Sequence, residues 1–183
     1  VELSLGVCFQ SLRTLVLHNS FYTLIGRCGV EDLIVDLILY HLDKGFEVTI
    51  FSNGDEEDFK EAKEFYDAKF YDNPSVTLLA RPTSTNELIS SISGFSRVAS
   101  FRMHAAIIAH SYGSNVINFV WDKKVKEVWA RFGVHSVAVD LKYLVSGFID
   151  WDLLFLNSSS SLCLIDSAYL EVQSVLSGIL NAK

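Results

Sequence analysis

Strand-like and helix-like segments alternate along almost the whole chain with short connections, and that rhythm restricts the fold more than any other feature. LSLGVCF (Leu3–Phe9) reads as a buried strand. GVEDLIVDLILYHLDKGF reads as a helix, from the spacing of Leu33, Ile34, Leu37, Ile38 and Leu42, with acids in its first turn and Lys44-Gly45 at its end. EVTIFSNG is a short strand running into a polar loop, DEEDFKEAKEFYDAKF an exposed helix, and SVTLLA a strand. TSTNELISSISGF predicts a short helix opened by Ser or Thr, SRVASF a strand, MHAAIIAHSYG a helix, NVINFV a strand and KKVKEVWARFG a helix. In the tail, HSVAVD reads as a sixth strand, LKYLVSGFI as a short helix, NSSSSL as a serine-rich loop and DSAYLEVQSVLSGILNAK as a closing helix. Parallel neighbours need crossover connections, and the crossover helices cover the sheet. The expected fold is therefore α/β: a mainly parallel sheet of about five to seven strands with helices on both faces, in one domain spanning residues 1–183.

The composition fits that fold, since 50% hydrophobic against 20% charged residues is too apolar for a disordered chain. The net charge of -7 and the lack of a basic run argue against nucleic acid. No apolar run reaches the roughly 18 residues of a membrane span, so no integral membrane segment is expected, and the location expected is cytoplasmic. Cys8, Cys28 and Cys163 are odd in number and scattered, which suggests reducing conditions and argues against zinc. No cofactor or metal centre is expected. The glycines of GRCG, Gly26 and Gly29, match neither GxGxxG nor GxxxxGK. Asp55, Glu56, Glu57 and Asp58 read as a solvated helix start rather than a cation site, because no histidine interleaves them. Ser111 lacks the GxSxG context of a nucleophile elbow.

Chemistry concentrates in SFRMHAAIIAHSYGSNVINFVWDKK. If Arg97–Phe101 is a strand, Arg102 and His104 stand where it turns into a helix, and helix-start amides favour an anion. Arg102 adds a fork of donors suited to phosphate or carboxylate, and His104 a group able to move a proton near neutral pH. Ala105, Ala106 and Ala109 let the helix approach the sheet closely. The plainer alternatives are a solvated strand-end arginine and an ordinary surface or core histidine. His110 sits near the helix end, where a capping or dipole role accounts for it. Trp121, Asp122 and Lys124 follow the next strand: Asp122 reads as a helix cap, and Lys124 as either a ligand contact or an exposed helix-start lysine. His18, in the punctuated stretch VLHNSFYTLIGRCG, is either a loop-borne pocket residue or part of ordinary loop packing.

The run SRVASFRMHAAIIAHSYGSNVINFVWDKKVKEVWARFG resembles the C-terminal hallmark of the polysaccharide pyruvyl transferase family: Arg102-x-His104, a small-residue helix ending at Gly113, a strand, then Trp121-Asp122-x-Lys124. With the segments before it, the resemblance covers about residues 30–133. It implies a Rossmann-like C-terminal domain, one half of a two-domain enzyme resembling GT-B glycosyltransferases, that transfers a pyruvyl group from phosphoenolpyruvate to a sugar hydroxyl pair in exopolysaccharide biosynthesis. Arg102 would bind the donor, His104 would bind it and protonate its methylene carbon, and Trp121 and Lys124 of the matched motif would line the substrate site, to which His18, outside the resemblance, is a loop-borne candidate to add. A missing N-terminal domain or partner chain would complete the acceptor side. Trp121 stands where tyrosine is more usual and Asn115-Val116 where a proline is common. A nucleotide-sugar-binding glycosyltransferase-like domain and a non-catalytic interaction domain of the same fold are the competing readings.

Overall fold

In a computed structural model that describes residues 3–12, 15, 20–141, 144 and 149–159, six strands form one sheet. They are β1 (Ser4–Phe9), β2 (Glu47–Ser52), β3 (Val76–Leu78), β4 (Arg97–Ser100), β5 (Asn115–Val120) and β6 (Ala138–Asp140). Their order is β3-β2-β1-β4-β5-β6 and every pairing is parallel. The helices are α1 (Ser20–Asp43), α2 (Glu56–Lys69), α3 (Thr85–Ile92), α4 (Met103–Ser111), α5 (Lys123–Arg131) and α6 (Trp151–Ser159), with a 3₁₀ turn at His135–Val137. The chain builds outward from β1 to β3, returns to β4 beside β1, and builds the other way. This is the parallel α/β sheet with helices on both faces expected from the alternation, and the Rossmann-like three-layer fold that the resemblance implied.

Alternating strand residues divide the core into two layers. Leu5, Val7, Val48, Ile50, Ala99 and Ile117 face one side, packed against Ile34 and Leu37 of α1, Ala62 and Phe65 of α2, and Trp151 and Phe155 of α6. Cys8, Phe51, Val98, Val116 and Val120 face the other, under Leu88 of α3, Ala105, Ala106 and Ala109 of α4, and Val125 and Trp129 of α5. Covering both faces explains why the strands read as apolar runs.

Four segments differ from the sequence expectation. α1 begins at Ser20, so Glu31 and Asp32 fall well inside it rather than in its first turn. Gly26 and Gly29 read as punctuation, but a helical glycine costs only about 1 kcal/mol and does not by itself end a helix. α2 is not simply exposed, because Asp58, Glu61, Ala62 and Phe65 form a buried stripe. HSVAVD is strand only in its second half. Asn157–Ser159 belong to α6 rather than a serine loop: Ser158 Oγ is buried and accepts from Val116 N at 3.0 Å, holding the start of β5. The closing helix expected over 166–183 lies outside the described residues, as does most of LKYLVSGFI.

At the amino ends of the strands, Arg97 fastens three elements. Its guanidinium lies 4.9 and 5.1 Å from the ring centres of Phe46 and Phe155 and donates to Asp152 Oδ1 at 2.7 Å. It also reaches His41 Nε2 at 3.1 Å, while His41 Nδ1 lies 2.8 Å from the Leu37 carbonyl. The pattern assigns the proton to Nδ1, so Nε2 accepts from the arginine. Burial pushes the His41 pKa down to about 4, and Arg97 adds to the effect. Asp152 also takes Lys44 Nζ at 2.6 Å, and these cations, Lys44 foremost, hold its carboxyl well below the usual range.

Candidate functional site

The sheet order reverses between β1 and β4, and open α/β sheets leave a crevice beyond the carboxyl ends of such a strand pair. Gln10-Ser11-Leu12 leaves β1 here and Phe101-Arg102 leaves β4. The second turn is held on every side. Ser100 Oγ donates to the Arg102 carbonyl at 2.7 Å and accepts from Arg102 N at 3.0 Å. Asn118 Nδ2 donates to the Ser100 carbonyl at 2.8 Å, and Trp121 Nε1 to the Phe101 carbonyl at 2.9 Å. Trp129 Nε1 in turn donates to Asn118 Oδ1 at 2.8 Å, so fully buried Asn118 ties β5, α5 and the β4 turn together.

Arg102 then occupies the N-cap of α4 with extended φ and ψ, and no side chain among the described residues caps that helix. The contrast with its neighbours is clear: Asp55, Ser84 and Asp122 cap α2, α3 and α5 through their side chains. The first turn of α4 thus keeps amide donors, and the positive end of its dipole, for another acceptor. His104 is exposed on that turn, while Ala105 and Ala106 beneath it are fully buried against the sheet.

Arg102 is anchored from below. Its Nε donates to Asp58 Oδ2 at 2.6 Å; the arginine side chain is 29% exposed and the aspartate 0%. Asp58 Oδ1 accepts from Ser11 N at 2.8 Å, and Glu61 accepts from Ser11 Oγ at 2.9 Å and Leu12 N at 2.8 Å. Two buried carboxylates on α2 therefore fix both the segment leaving β1 and the arginine leaving β4. Nη1 and Nη2 of Arg102 make no bond to another described residue. The reading of Asp58 as part of a solvated acidic start is thus corrected: with Glu61, Ala62 and Phe65 it repeats at i, i+3, i+4 and i+7, a spacing visible in the sequence, and backbone amides plus Arg102 compensate its charge.

Trp121 joins Arg102 and His104 at this corner through the Phe101 carbonyl. Asp122 is the cap expected, accepting from Lys124 N at 2.9 Å, and Lys124 extends its exposed side chain from the start of α5 without bonding another described residue. His18 lies outside the described residues. His110 does not cap α4. It is 1% exposed and stands edge-on to Trp129 at 5.5 Å, and burial pushes its pKa down. Neither of its ring nitrogens has a hydrogen-bond partner among the described residues. The buried Cys8 thiol is pushed up to about 12 by desolvation, which makes it unreactive. Among the described residues no group of His, Cys, Asp or Glu could hold a metal, and no helix is long and apolar enough to cross a membrane.

The arrangement offers open helix-start amides, a forked cation held in place and a histidine at the second position of the helix, groups whose chemistry suits an anion. The family model for polysaccharide pyruvyl transferase matches residues 12–123. That span contains Asp58, Glu61, Arg102, His104 and Trp121 and stops one residue before Lys124. No curated protein and no solved structure matches the chain.

Proposed function

The chain belongs to the polysaccharide pyruvyl transferase family, and from that premise we propose that the start of α4 binds phosphoenolpyruvate and that the pyruvyl group passes to two hydroxyls of a sugar. The observation that carries this reading is the α4 terminus, which no side chain among the described residues caps, with Arg102 at its N-cap, Nη1 and Nη2 bonded to no other described residue, and exposed His104 beside it. Arg102 and the amides neutralise the donor's phosphate or carboxylate. Protonated His104 delivers a proton to the methylene carbon, which leaves the adjacent carbon electrophilic. One sugar hydroxyl adds there, the carbon–oxygen bond to phosphate breaks, and the second hydroxyl closes the ketal. Of the two hydroxyl protons, one restores His104 and the other goes to the departing phosphate. Lys124 and Trp121 line the donor side, and the acceptor is held by a second domain or partner chain facing the same edge.

The test is an assay of phosphate release and ketal formation with phosphoenolpyruvate and a polysaccharide acceptor, using the complete enzyme. His104→Gln should lower kcat by about 10²-fold or more with a smaller change in KM. A His104→Gln enzyme with wild-type kcat would remove the histidine from the chemistry.

A further inference from the structure

Arg102 is held by a carboxylate that has no place in the reaction proposed above. We propose that Asp58 is a positioning residue: it binds Arg102 at Nε so that the Nη edge is presented to the anion, and it ties that geometry to the segment leaving β1. The inference rests on the reading of Arg102 as the anion-binding residue.

Simple electrostatics makes Asp58 an unlikely neighbour for an anion site, since its charge repels the ligand. Its burial adds a desolvation cost, because a fully buried carboxylate is kept only where it is well compensated. Here the two oxygens have separate partners. Oδ1 takes Ser11 N at 2.8 Å and Oδ2 takes Arg102 Nε at 2.6 Å. An arginine side chain has several rotatable bonds and, unrestrained, spreads its donors over many positions. Engaging Nε alone fixes the plane of the guanidinium and leaves the terminal pair to a ligand. Glu61, one turn on, clamps Ser11 Oγ and Leu12 N, so the β1 segment that orients Asp58 is itself held. A ligand meeting a fixed fork loses less conformational freedom on binding than one that must order it.

The two roles of Asp58, as a charge and as a positioner, predict opposite signs. In Asp58→Asn the amide oxygen can still accept from Ser11 N, but the amide nitrogen faces Nε as donor against donor. Loss of the negative charge alone would tighten anion binding; loss of position weakens it. Calorimetric titration of phosphoenolpyruvate into wild type, Asp58→Asn and Arg102→Lys separates the cases. We expect Asp58→Asn to bind about tenfold more weakly, as removal of an orienting partner does at other sites, with an unchanged circular dichroism spectrum. Affinity equal to or above wild type in Asp58→Asn, with Arg102→Lys weakened, would overturn the positioning role alone. Wild-type affinity in Arg102→Lys would instead remove the anion-site reading beneath it. If Asp58→Asn does not fold, the side-chain ¹⁵N spectrum of the wild-type chain decides. Phosphoenolpyruvate should shift the Arg102 Nη signals and leave its Nε–H protected from exchange, and loss of that protection on binding would contradict the proposal.

Discussion

Lowering the pH from 7 to 4.5 should destabilise the fold through its buried histidines, and the size of the effect follows from their surroundings. His41 is fully buried, gives Nδ1–H to the Leu37 carbonyl and accepts from Arg97 at Nε2, so a second proton has no acceptor and meets a cation. Its pKa falls from the model-peptide 6.5 to about 4 in the folded protein. A base whose pKa is depressed by folding binds more protons when unfolded, so stability is lost as pH falls through the unfolded value and the loss levels off near the folded one. At pH 4.5 the loss from His41 is about 2.5 kcal/mol. His110, also pushed down by burial, adds to it in the same direction. Asp152 and exposed Glu87, both held below the usual carboxylate range, lose most of their contributions below pH 4.5, so the histidines dominate the window between 6.5 and 4.5. Against a typical total of about 5–15 kcal/mol this is a large change. Urea unfolding followed by tryptophan fluorescence at pH 7 and 4.5 measures it, and His110→Leu should reduce the slope. Equal stability at the two pH values would refute the assignment of neutral, hydrogen-bonded His41 and neutral His110.

Asn118→Ala removes the partner of buried Trp129 Nε1 and the donor to the Ser100 carbonyl. It should cost about 3 kcal/mol, from two lost bonds and an orphaned indole N–H, read as a lower urea midpoint at unchanged slope. The same change should loosen the β4 turn, so phosphoenolpyruvate affinity should fall although Asn118 is buried beneath the turn; an unaltered affinity would separate Asn118 from the site.

Much of this architecture was legible because its signals are local. The two-layer core appears in each strand as an apolar run, and Ala105, Ala106 and Ala109 announce a helix lying close on the sheet. Arg102 and His104 were legible as a pair because a strand end and a helix start meet between Ser100 and Met103. What escaped is non-local. Asp58 sits in a run of acids, and nothing before the fold is assembled tells it from Glu56 or Glu57 except its register with Glu61, Ala62 and Phe65. Its partners, Ser11 and Arg102, lie 47 and 44 residues away in sequence. His110 misled for a related reason: position near a helix end suggested a cap, but Trp129 from α5 covers that face of α4. The N-terminal extension of α1 escaped because Gly26 and Gly29 lower helix propensity locally.

Calorimetric binding of phosphoenolpyruvate to the wild-type chain and to Arg102→Lys tests the central claim most directly. The lysine leaves Asp58 a cation but cannot supply the fork, so it separates anion recognition from the cost of a buried unpaired carboxylate. The account predicts saturable binding by the wild type and a loss of about 2 kcal/mol, roughly thirtyfold, in a folded Arg102→Lys chain. Equal affinity in the two folded proteins, or no binding by the wild type, would contradict it.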